Sequence, residues 1–183
     1  MKELSLNILD IAENSVKAGA TLTEIAIDET EEKLILTFTD NGCGMTDEVV
    51  ENVTNPFYTT RTTRKVGMGL PLLKLEAEMT GGGLSLESTH VSEDKTNSGT
   101  KVCATFYKNH IDFTPLGDVV ESIATLIQGH PDTDFLFTHK KEKGEVILDT
   151  RELRQVLEGV PLNTYEVIKW IKEYLKEQYI NLI

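Results

Sequence analysis

Positive charge is scarce in this chain. Its 183 residues carry 18 Lys and Arg against 30 Asp and Glu, a formal net charge of −12. An acidic surface repels phosphate backbones and anionic lipid, so neither nucleic acid nor membrane is expected as a partner. Apolar runs are short, and none approaches the ~20 residues of a bilayer span. The opening Met-Lys-Glu leads straight into a polar-interrupted helical pattern, without the features of a secretory leader. There are only two cysteines, Cys43 and Cys103. They form neither metal-ligand spacing nor a disulfide framework, and two reduced thiols fit a cytoplasmic protein. His90, His110, His130 and His139 are scattered, none at ligand spacing from a cysteine or carboxylate. Surface or packing roles are expected for them. No Gly-x-x-x-x-Gly-Lys-Ser/Thr loop occurs.

Hydrophobic residues make up 39% of the chain and charged residues 26%, enough to bury a core. The first segment, from Leu4 to Ala20, has an apolar stripe of Leu4, Ile8, Ile11 and Ser15, and Gly19 stops the helix. A second stripe carries Asn7, Asp10, Asn14 and Lys17. Asn and Asp are poor helix formers away from the ends, so a row of them reads better as ligands facing a cleft than as a solvated face. Two period-two runs follow, 23–28 and 33–40, joined by the acidic 29–32. The second ends in Asp40-Asn41-Gly42-Cys43-Gly44-Met45. Two glycines one residue apart let the backbone turn tightly and approach a flat ligand, and Asp40 presents a carboxylate at the strand end.

Thr46 to Val53 reads as a short helix with Thr46 as its N-cap. The segment 55–65 is hydroxyl-rich and basic within an acidic protein. Its Arg61, Arg64 and Lys65 suit a lid that meets phosphate oxygens. Gly67-Met68-Gly69-Leu70 then opens a helix, and free N–H groups at such a start favour an anion. Strands are expected at 83–88 and 99–107. This part therefore reads as an α+β fold, helices on one face of a mainly antiparallel sheet. Past Lys108 come a helix closed by Gly129, a hairpin of 135–138 and 146–149, a helix at 151–157 and a last helix through Gln178. That last helix has Val167, Ile168, Trp170, Ile171 and Leu175 as apolar positions, and core packing is expected for Trp170. No catalytic pattern appears there. The boundary is set at 110, with a C-terminal α/β extension over 111–183.

The motifs of residues 4–107 resemble those of the GHKL ATPase superfamily: gyrase B, heat-shock chaperone ATPases, histidine kinases and mismatch-repair ATPases. Ala12-Glu13-Asn14-Ser15 through Thr21 looks like the N box of the mismatch-repair branch, and Asp40-Asn41-Gly42-Cys43-Gly44-Met45 like its G1 box. Pro56-Phe57-Tyr58-Thr59-Thr60-Arg61, with Gly67-Met68-Gly69-Leu70, looks like the histidine-kinase F and G2 boxes. Gly99-Thr100 looks like the closing G3 strand. The resemblance implies a two-layer α/β sandwich that binds ATP and Mg²⁺. Asn14 would hold the Mg²⁺, Asp40 would accept the exocyclic amine of adenine, and Gly42 and Gly44 would let the backbone close over the purine. Gly67, Gly69 and Leu70 would offer amides to the phosphates, and Thr100 would support the base through water. Lys17, Met45, Phe57, Thr59, Thr60, Arg61 and Met68 complete the implied nucleotide set.

In hydrolytic members a Glu four residues before the metal-binding Asn activates water. Asp10 stands there in this chain, one methylene shorter. The resemblance implies a kinase of a separate protein, like the anti-sigma factors, or an ATP-dependent regulator of a partner, with a homodimer as a further arrangement. A module that keeps the fold without catalysis is the alternative.

Overall fold

A computed structural model describes residues 3–55, 57 and 68–182. Strands β1 (Leu22–Glu29), β2 (Lys33–Asp40), β3 (Gly83–Thr89), β4 (Gly99–Tyr107), β5 (Asp134–Lys141) and β6 (Gly144–Asp149) form one sheet in the order β3-β4-β2-β1-β5-β6. Among the described residues only the β1–β5 pairing is parallel. The helices are α1 (Leu4–Lys17), α2 (Asp47–Asn52), α3 (Gly69–Met79), α4 (Val119–Gly129), α5 (Thr150–Leu157) and α6 (Tyr165–Asn181). Among the described residues no helix is long and apolar enough to cross a membrane.

Period-two alternation sets which face is buried. Register places Leu86, Val102, Phe38, Ile25, Phe137 and Leu148 in one row across all six strands. Buried residues of α1, α3, α4 and α6 join these strands in a single core. On the other face Ala26, Ile35, Thr37, Cys103 and Thr105 are half-buried. The apolar stripe expected on α1 is the buried one: Leu4, Ile8, Ile11 and Ser15 all lie inside, and Gly19 ends the helix at φ +75°.

Residues 111–183 continue the same sheet and core. The hairpin is longer than the sequence implied, because Lys140 pairs with Glu145 and Lys141 with Gly144. No side chain caps the start of α1. Instead the Leu4 and Ser5 N–H groups donate to the carbonyls of Pro115 and Leu116, at 2.9 and 2.8 Å. The outer strand β6 is shielded by the Gln178 amide, which both accepts from the Ile147 N–H and donates to its carbonyl.

Two expectations about side chains need correction. Trp170 is 46% exposed and stacks on Tyr174. The buried stripe of α6 is Val167, Ile168, Ile171 and Leu175, and Trp170 stands about 115° round the helix from its centre. His139 is neither a surface residue nor a simple packing one. It is 1% exposed, and the alternation that buries Phe135 and Phe137 carries it inward. Its Nε2–H donates to Glu29 at 3.0 Å, and its Nδ1 lies 2.8 Å from the Tyr179 hydroxyl.

Glu29 also accepts from Lys108 at 2.7 Å. The His139 hydrogen bond foremost, and the Lys108 bond and charge after it, outweigh burial and lower this carboxyl from an ordinary 4.5 to about 2. A lowered carboxyl stabilises the fold above its unfolded value and stops doing so as protonation proceeds. Wild-type protein is therefore expected to lose stability between pH 4.5 and about 2. After allowance for solvent screening the contribution is about 1–2 kcal/mol. Glu29→Gln should remove that part of the acid dependence in melts recorded from pH 6 to 2. An unchanged pH profile would show that the network contributes nothing.

Candidate nucleotide-binding cleft

A cavity of about 450 Å³ opens between the end of α1, the ends of β2 and β4, the turn after β2, and the start of α3. Local hydrogen bonds hold each wall. The Cys43 N–H donates to the Ala18 carbonyl at 2.9 Å, fixing the turn against the end of α1. Asn41 accepts from the N–H groups of Thr21 and Leu22, tying the turn to β1. Gly44 sits at φ +67°, and a Cβ there would stand 1.9 Å from the Thr89 carbonyl oxygen. Only glycine tolerates both conditions. Gly44→Ala is expected to displace the β3 end from this turn, costing about 2–4 kcal/mol of stability. A thermal melt checks this, and an unchanged midpoint would show that the turn accommodates a methyl group.

Asp40 forms one wall. Its Oδ2 accepts from the Ser15 hydroxyl at 2.7 Å, and its Oδ1 from the Gly42 N–H at 2.9 Å. A carboxylate has about four acceptor positions, so capacity remains for a donor in the cavity. Thr100, paired across the sheet with Asp40, lies beside it. Its hydroxyl is 2.8 Å from Ser88 Oγ, which also accepts from the Met45 N–H. Another wall is the start of α3 at Gly69, where no side chain of the described residues caps the helix. A Cβ on Gly69 would lie 3.6 Å from Asp10 Cβ and 3.7 Å from Asn14 Nδ2. The start of α3, where the Gly69 and Leu70 N–H groups lie, thus adjoins the Asn14 amide.

Of the residues expected in the site, Asn14, Lys17, Asp40, Gly44, Met45, Gly69, Leu70 and Thr100 line this cavity. Gly42 stands behind Asp40 as a hydrogen-bond donor. Asp10 is exposed beside Gly69 and does not line the cavity. Phe57, 86% exposed, and Met68, 44% exposed, do not line it either. Thr59, Thr60, Arg61 and Gly67 lie outside the described residues, as do Arg64 and Lys65 of the expected lid.

The polar stripe of α1 divides. Asn14 and Lys17 face the cavity, whereas Asn7 is fully buried and donates to Glu76 of α3. Glu13 turns away to His130, 2.6 Å off, and to Lys17 at 3.7 Å. Ser15, Cys43, Val49, Val53 and His90 also line the cavity, and the sequence had not marked them as ligand contacts. A hydroxyl in the apolar stripe of α1 was an available sign for Ser15. His90 had none, since its place depends on how the loop after β3 returns.

Residues 2–110 match the model of the histidine kinase-, DNA gyrase B-, and HSP90-like ATPases. The chain belongs to this ATPase family. A DNA mismatch repair protein MutL of Listeria monocytogenes is 26% identical over 84% of the chain, and the match spans 30% of that protein. Sporulation kinase D of Bacillus subtilis is 30% identical over 57% of the chain and 19% of its own length. The chain thus spans less than a third of either relative. Among solved structures, the Aquifex aeolicus MutL ATPase domain complexed with ADP aligns with a TM-score of 0.52. Its identity is 17%, over 86% of this chain and 70% of that one. The N-terminal domain of a DNA repair protein aligns with a TM-score of 0.57 at 17% identity, over 81% and 53%. Both share the fold.

Proposed function

We propose that the cleft binds Mg-ATP and that the bound nucleotide governs an action on a partner protein, as a kinase or as an ATP-dependent regulator. The observation that carries this reading is that Asn14, beside the start of α3, and Asp40, at the end of β2, line one cavity. Asp40 keeps acceptor capacity for the adenine amine. Gly69 and Leu70 supply helix-start amides for phosphate, and Lys17 adds positive charge.

The donor set fits Mg²⁺ as a partner of phosphate. Among the described residues no cluster of three acidic, His or Cys side chains could hold a metal. One amide oxygen from Asn14, with phosphates and water, is the ligand pattern Mg²⁺ commonly takes. Bound there, the ion would neutralise phosphate charge. Asp10, one helical turn before Asn14 and beside the start of α3, would be the carboxylate to take a proton from an attacking hydroxyl or water. Its exposure and its position off the cavity wall favour a second reading, a nucleotide-binding module without turnover. The net charge of −12 favours a protein over nucleic acid as the partner.

Calorimetry with ATP and Mg²⁺ tests binding, and absence of heat at millimolar nucleotide removes the proposal. Labelled ATP, with and without candidate partner proteins, separates the two readings. Turnover lost in Asp10→Asn with binding retained assigns the base, and turnover unchanged excludes it.

A further inference from the structure

The loop after β3 belongs to the cleft, though no motif marked it. Its first residue, His90, lines the cavity. Backbone contacts lock it to the turn that follows β2. The Val91 N–H donates to the Cys43 carbonyl at 2.8 Å, and Thr89 closes directly over Gly44. The ring is fixed as well. His90 Nδ1 accepts from the Ser92 N–H at 3.3 Å and lies 2.7 Å from Ser92 Oγ. An Nδ1 that accepts from a backbone N–H leaves the proton of the neutral ring on Nε2. Among the described residues Nε2 has no hydrogen-bond partner. His90 thus lines the cavity beside Cys43 and Gly44 and carries a donor, Nε2–H, that has no partner among the described residues.

We propose that His90 contacts the nucleoside half of a bound purine nucleotide, donating from Nε2 to an acceptor on the base or ribose. This rests on the nucleotide reading above and adds a recognition residue to it. Asp40 reads a donor on the base and His90 an acceptor, so together they set the orientation of the nucleoside between them. The role proposed for His90 does not include the phosphates, which the reading above assigns to the start of α3.

Calorimetric titration of wild type, His90→Ala and His90→Gln with adenosine, ADP and ATP tests this. His90→Ala should weaken all three by the same factor, about three- to tenfold for one lost hydrogen bond. His90→Gln, which retains an N–H donor, should lose less. In ¹⁵N spectra of the histidine rings, adenosine alone should shift the His90 Nε2 signal. Unchanged affinities, or a loss that grows with phosphate number, would overturn the assignment. Failure of wild type to bind any of the three would remove the nucleotide reading itself, and this role with it.

Discussion

Asp40→Asn is expected to weaken adenine-nucleotide binding on the order of a hundredfold while the protein stays folded. The carboxylate accepts from two sides within the protein, Ser15 and Gly42, and the proposed amine would be a third donor. An asparagine has a single acceptor oxygen and an amide that donates. The Ser15 hydroxyl can rotate to accept that amide, so the fold survives. The base cannot adapt, and a buried donor would then face a donor. Calorimetry with ATP, beside a thermal melt, separates the two effects. A variant that melts like wild type and binds ATP equally well would show that Asp40 does not read the base.

The second large effect concerns the part of the chain beyond the family match. Removing residues 111–183 is expected to abolish folding, although the match itself ends at 110. Of the deleted strands β5 pairs with β1 and β6 with β5, and they contribute Phe135, Phe137, Val146 and Leu148, all at most 4% exposed. At about 2 kcal/mol each these four alone amount to about 8 kcal/mol, comparable with the total stability of a domain. Deletion would also bare the β1 edge and leave the first amides of α1 without the Pro115 and Leu116 carbonyls. A fragment of residues 1–110 should show collapsed amide dispersion and no cooperative melt. A dispersed spectrum with a sharp transition would make the C-terminal part an appendage after all.

Elements and their order were legible because periodicity is a local property. The stripe Leu4, Ile8, Ile11 and Ser15, the alternation through β1 and β2, and the glycines after Asp40 each follow from spacing alone. What stayed hidden depends on how distant segments meet. Asn7 looked like a cleft ligand beside Asn14, but the return of α3 brings Glu76 against it and buries both. His90 reaches the cleft only because β3 ends over Gly44. His139 was readable in principle, since Phe135 and Phe137 at period two already place it inward. Its partners Glu29 and Tyr179 come from elements 110 and 40 residues away and were not. Trp170 shows the opposite error, where residue type was weighed above its angle on the helix.

The central claim is that Asn14 and Asp40 serve opposite ends of one purine triphosphate. Titrating wild type, Asn14→Ala and Asp40→Asn with adenosine, and with ATP in the presence and absence of Mg²⁺, tests it most directly. Asp40→Asn should impair every ligand alike, whereas Asn14→Ala should spare adenosine and abolish only the gain that Mg²⁺ gives ATP. Identical patterns from the two variants, or wild-type protein indifferent to all three conditions, would contradict it.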